Sequence, residues 1–66
     1  MYNNLRGEMA KKRITGNDLA AILNIRPATF SEKMTGKSQF TLDEAFIIRA
    51  YVGSDLTLEE LFENGD

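Results

Sequence analysis

The stretch "LAAILNIRPATFSEKMTGK", residues 19–37, decides the fold. It begins as an apolar helical run, breaks at Asn24-Ile25-Arg26-Pro27 and restarts. Proline disfavours helical geometry at the residue before it, here Arg26. It suits the first position of a new helix, where its missing N–H would have had no partner. The stretch therefore reads as two short helices joined by a tight turn. Small Ala20 lets them approach closely, and Ile25 fills the space between them. The second of the two is predicted from Pro27 to about Thr35, with Gly36 placed to end it in left-handed geometry. Phe30 and Met34 lie four apart and form its buried stripe. The 100° step per residue then leaves Pro27, Ala28, Ser31, Glu32 and Thr35 on or near its outer face.

On either side the pattern stays helical. Leu5 and Met9 mark a first helix from about Asn3 to Arg13, with basic residues crowding its last turn, where the helix dipole favours them. Thr15 followed by Asp18 is an N-cap with an acidic first turn, and Leu19, Ala20, Ile22 and Leu23 give the next helix its apolar face. Thr41 and Glu44 form a capping box that opens a fourth helix, with Leu42, Ala45 and Ile48 expected inward. Thr57 and Glu60 repeat the box before a short last helix carrying Leu58, Leu61 and Phe62. The segment "ENGD", 63–66, is a polar tail expected to fray. The fold expected is all-α: one domain over residues 1–66, a compact bundle of five short helices containing a helix-turn-helix.

Composition removes whole classes of chemistry. The chain has no cysteine and no histidine, so thiol nucleophiles, imidazole acid–base catalysis, disulfides and Cys/His zinc sites are excluded. The carboxylate pairs Asp43-Glu44 and Glu59-Glu60 each follow a capping threonine, where the helix dipole already explains them. No enzymatic activity, cofactor or metal is expected. The apolar runs fall far below the ~20 residues that span a bilayer, and the amino terminus lacks a signal-peptide core. The expectation is a cytoplasmic protein with no membrane partner.

The net charge of −2 conceals a division. Residues 1–37 hold seven basic and three acidic groups, net +4, whereas residues 38–66 hold one basic and seven acidic, net −6. A basic half points to a polyanionic partner; a merely solvated charge pattern is the alternative.

The run "ITGNDLAAILNIRPATFSEKMTGK", residues 14–37, resembles the helix-turn-helix of the phage repressor and Cro family, also called the xenobiotic-response-element family. Ile14-Thr15, Leu19-Ala20, Leu23, Ile25, Thr29-Phe30 and Thr35-Gly36-Lys37 hold the places of its pattern. The ending "DLTLEELF" resembles the family's last helix, so the likeness covers nearly the whole chain. Small regulators of phages and prophages in Gram-positive bacteria are the nearest in character. The resemblance implies a transcriptional regulator whose third helix lies in the major groove of an operator in double-stranded DNA. It also implies a two-fold dimer that sets two such helices about 34 Å apart.

Three departures accompany the likeness. Gly16 stands where relatives commonly place a glutamine that touches phosphate, leaving backbone N–H groups and Asn17 to serve. Asn24 replaces the usual turn glycine and tolerates left-handed geometry better than most residues. Arg26 replaces the Ser/Thr cap of the third helix and brings a cation beside the groove.

On that face Pro27 and Ala28 can touch only a thymine methyl, Ser31 is a weak reader, and Glu32 can accept from cytosine N4. Phosphate contacts are assigned to Asn17, Arg26, Thr29, Lys33, Lys37, Ser38 and Gln39, with Lys11 to Arg13 nearby. Glu32 has the alternative of pairing with a neighbouring lysine, and Arg26 that of solvating the turn. Tyr51, Val52 and the adjoining turn are candidate dimer contacts, unless both side chains belong to the core. A competing reading makes the scaffold a protein-interaction module that antagonises another regulator through its acidic half or its plain third helix.

Overall fold

Three capping threonines set helix starts. The structure is a computed structural model that describes residues 1–63; positions 64–66 of the tail expected to fray lie outside the described residues. Within them the chain forms α1 (Asn3–Lys12), α2 (Gly16–Leu23), α3 (Pro27–Met34), α4 (Leu42–Val52) and α5 (Leu58–Leu61), with no strand. Ahead of α2, the Asp18 N–H donates to Thr15 Oγ1 at 3.2 Å while the Thr15 N–H donates to Asp18 Oδ2 at 2.9 Å. Thr41 with Glu44 and Thr57 with Glu60 repeat this reciprocal box at α4 and α5. Each box satisfies two backbone donors that the helix start would otherwise leave open.

The helix ends are equally local. Asn24 takes left-handed geometry at φ 59°, and its N–H and that of Ile25 donate back to the carbonyls of Ala21 and Ala20, closing a Schellman motif. Arg13 ends α1 in the same way at φ 57°, with its N–H and that of Ile14 turned back to Ala10 and Met9. Gly36 ends the turn after α3 at φ 88°.

Leu5 and Met9 of α1, Leu19 and Ala20 of α2, Phe30 and Met34 of α3, Ile48 and Val52 of α4 and Leu61 of α5 form one core. Leu5, Leu19, Ile48 and Leu61 are fully buried, a contribution of about 1.5–3 kcal/mol each. A half-buried aromatic cluster extends this core. Phe40 sits 5.4 Å from Tyr2, 5.3 Å from Phe62 and 5.8 Å from Phe30 between ring centroids. Polar clasps tie the helices together: Lys12 Nζ donates to the Gly53 carbonyl at 2.9 Å, and Asn4 Nδ2 to that of Glu60 at 2.8 Å.

Two expectations about α4 are corrected. Leu42 is 65% exposed, because the inward stripe runs through Ala45, Ile48 and Val52. Leu42, in the opening turn, lies at the rim of a shallow groove with Tyr2, Phe40, Leu58 and Phe62. Val52 is 2% exposed and is a core residue, so it offers no surface to a dimer. Tyr51, its neighbour, is exposed.

Candidate nucleic-acid interface

The tight turn holds α3 against α2 with Phe30 and Met34 inward and leaves the opposite side of α3 open. Pro27, Ala28, Ser31, Glu32 and Thr35 are all exposed and Thr29 is half-buried. The Thr35 hydroxyl folds back on the helix, donating to the carbonyls of Ser31 and Glu32. Beside this ridge lies an open groove of about 560 Å³, lined by Arg6, Ile14, Thr15, Asn17, Pro27 and Ser31 among others. Two helix starts meet at it. The capping box engages the N–H groups of Thr15 and Asp18, leaving those of Gly16 and Asn17 at the groove. Arg26 gives α3 no side-chain cap, and Pro27 has no N–H.

Gly16 also lies against Phe30. A Cβ added there would stand 3.4 Å from two ring carbons, ordinary contact distance, so crowding does not require glycine at this position.

The cations divide into two groups. Lys11 pairs with Glu8 at 3.1 Å, Arg6 donates to the Met1 carbonyl, Lys12 to Gly53 and Arg49 to Leu56. Lys33, assigned from sequence to a phosphate, is turned inward. Its Nζ lies 3.1 Å from Glu44 Oε1, donates to the Gln39 carbonyl at 3.1 Å and stands 6.0 Å from the centroid of the Phe40 ring. Its side chain is only 12% exposed, so it joins α3 to α4. Arg13, Arg26 and Lys37 form no ion pair or side-chain hydrogen bond among the described residues. All three belong to the basic half of the chain. Arg26 and Lys37 flank α3, whose eight residues make a rod about 12 Å long.

Glu32 likewise forms no ion pair among the described residues, so the pairing with a neighbouring lysine considered from sequence is not made. Ser38 is half-buried and Gln39 exposed in the loop after α3, where the Gln39 carbonyl is already used by Lys33. Asn17 is exposed at the head of α2.

Two carboxyls are perturbed, both within the scaffold. Burial pushes Glu44 up, but the Thr41 N–H and the Lys33 ammonium outweigh it, and the group ends below its ordinary range. Glu8 is lowered chiefly by Lys11 and then by Ser54. Neither lies on the open face of α3.

Sequence reasoning placed that face but missed three features around it: the inward role of Lys33, the Phe40 cluster and the position of Gly16 beside the Phe30 ring. A lysine eleven positions from a glutamate gives no local sign of pairing, and Phe40 stands in a loop with no periodicity to read. The chain matches no protein-family model, no curated protein and no solved structure with which it was compared. No described helix is long and apolar enough to cross a membrane.

Proposed function

We propose that the chain binds double-stranded DNA as a helix-turn-helix transcriptional regulator, with α3 lying in the major groove. One observation carries this reading. The open ridge of α3 is free of large apolar side chains and is flanked by two cations, Arg26 and Lys37, that no carboxylate engages among the described residues. The major groove is about 12 Å wide and bordered by two rows of phosphates. A short helix with a cation beyond each end meets that geometry, and the uncapped N–H groups at the heads of α2 and α3 add anion-binding donors. Arg13, at the end of α1, is a third cation that no carboxylate engages among the described residues.

Phosphate contacts outweigh base readout on such a face. Pro27 and Ala28 offer only methyl contact, while Ser31 and Glu32 are the polar readers. Affinity then falls steeply with salt, and discrimination between sequences is modest. A protein-antagonist role on the same scaffold draws support from the same plainness of α3 and from the acidic carboxy-terminal half. It requires no affinity for DNA.

A retardation assay on random duplex DNA across a salt series separates the two. Binding at low salt is expected. Arg26→Ala and Lys37→Ala should each weaken it for all sequences alike and reduce the salt slope by about one unit per lost contact and protomer. Glu32→Gln should instead change preference at one base position per half-site by ~1–3 kcal/mol. If the parent fails to bind DNA at low salt, or all three variants match it at every salt concentration, α3 is not a reading helix and the antagonist role takes its place.

A further inference from the structure

Helix α4 carries apolar side chains on two sides, with Asp43, Glu44 and Arg49 as its charged residues. Its inner side fills the core with Ala45, Ile48 and Val52. On its outer side Leu42 is 65%, Phe46 54%, Ile47 45% and Tyr51 50% exposed. A helix with two apolar sides is ordinarily buried on both. Side chains of this size bury on the order of 150–250 Å² each, so the exposed part here amounts to roughly 400 Å², within the range of the largest patch a monomer leaves open. A standard interface takes ~800 Å² from each partner, a little over half of it apolar. The outer face of α4 supplies about that apolar share.

The pattern of the face fits a second copy of itself. Its residues form two ridges of spacing four: Leu42, Phe46 and Ala50 in one, Asp43, Ile47 and Tyr51 in the other. A half rotation about the point between residues 46 and 47 exchanges the two ridges. Turned by a half rotation about that point, Leu42 falls on Tyr51, Phe46 on Ile47 and Asp43 on Ala50. Large groups meet large groups, and the one charged residue of the face meets the smallest side chain. We infer that this face pairs with the same face of a second copy of the chain, the two α4 helices antiparallel about a two-fold axis between Phe46 and Ile47.

Such an interface is isologous, each contact occurring twice. Ridges of spacing four interdigitate with the helices crossing at about 50°. A parallel pairing would set Asp43 against Asp43; the antiparallel one holds the two carboxylates about 10 Å apart along the axis and opposes the helix dipoles favourably. The dimer contact foreseen at Tyr51 and Val52 thus moves to the other side of α4, keeping Tyr51 and losing Val52 to the core. The inference does not depend on DNA binding, and its test contains no DNA.

Sedimentation equilibrium of the full chain at roughly 10 to 300 μM should show dimers with a dissociation constant in the micromolar range or tighter. Ile47→Lys should weaken them by about 30-fold or more, while its thermal melt in dilute solution matches that of the parent. The register has its own test, because the chain has no native cysteine. Under oxidising conditions, an equimolar mixture of Asp43→Cys and Ala50→Cys should form a disulfide-linked dimer at least about tenfold faster than either variant alone, since only the mixed pair comes within the ~7 Å limit between Cα atoms. A parent monomeric throughout, an Ile47→Lys variant that still dimerises, or single variants that cross-link as fast as the mixture would each overturn the inference.

Discussion

Helices α3 and α4 are neighbours in sequence, and each buries one stripe while leaving the opposite side open, yet their open sides are built differently. On α3 the open side holds Pro27, Ala28, Ser31 and Glu32; on α4 it holds Leu42, Phe46, Ile47 and Tyr51. The first rests in water at little cost and presents backbone, hydroxyl and carboxylate groups near two unengaged cations. The second leaves apolar area exposed, and water penalises it. Exposure alone therefore does not define a kind of interface. A plain polar face beside free cations suits a hydrated, charged partner, whereas a run of large apolar side chains suits a partner that excludes water from it. The charge division along the chain agrees with the first of these, since the +4 of residues 1–37 includes the two cations beside α3, against −6 over 38–66.

The contrast is sharpest in a pair of aromatic truncations. Phe30 is 4% exposed and Phe46 54%. Phe30→Ala should destabilise the fold by ~3–5 kcal/mol, enough to unfold much of a small domain. Phe46→Ala should cost under about 0.5 kcal/mol when the chain is dilute. At high concentration the melting temperature of the parent should rise and that of Phe46→Ala should not, because association stabilises only the chain that can associate. Equal losses from the two truncations in dilute denaturant melts would mean that α4 is buried by the monomer itself, and the comparison would fail.

The positions of all five helices were readable because their signals are local. The capping threonines with their acidic partners, and the Asn24 to Pro27 turn, act within four residues of chain. The open face of α3 followed from Phe30 and Met34, since fixing two buried positions on a helix with one apolar stripe fixes its rotation. The same reasoning failed on α4. With apolar groups on both sides, periodicity leaves the rotation undetermined: it points Leu42 inward, where the fold exposes it, and leaves Val52 open between surface and core, where the fold buries it. Lys33 was misassigned for another reason: a cation at helical spacing among polar residues looks the same whether it faces solvent or a carboxylate from a later helix. Local geometry was in the sequence; long-range pairing had to come from the fold.

A smaller effect separates the roles of a residue within the basic half. Arg13 holds left-handed geometry at φ 57°, which costs a side-chain-bearing residue about 1–2 kcal/mol. Arg13→Gly should relieve that, and after the greater freedom of glycine in the unfolded chain is counted, the net gain should be about 0.5–1 kcal/mol. Asn24→Gly, at φ 59°, should gain less, because asparagine tolerates this geometry better. If Arg13 also contacts phosphate, Arg13→Gly should melt higher and bind DNA more weakly. Denaturant melts and the salt series, run on one preparation, read the two effects separately; a variant that melts lower shows that the arginine side chain holds the end of α1 by some contact worth more than the strain.

The smallest effect tests the joint between the two helices compared. Glu44 Oε1 accepts from the Thr41 N–H at 2.9 Å and lies 3.1 Å from Lys33 Nζ, so one carboxylate both caps α4 and holds the carboxy-terminal turn of α3. Its folded-state pKa lies below the ordinary 4.5, which fixes the sign of its linkage to stability. The contribution is fully present above about pH 4.5 and is lost as the pH falls through the folded-state value, where the carboxylate takes up a proton. Glu44→Gln keeps an acceptor for the cap but removes the charge facing Lys33. Parent and variant should therefore differ most at neutral pH, the parent melting higher, and converge as the solution is acidified. The lowered Glu8 is common to both chains and cancels in the difference. A gap between the two melting temperatures that stays constant from neutral pH to well below 4.5 would mean that the joint is held by shape and the capping bond alone, with the charge on Glu44 contributing nothing to the docking of α3 against α4.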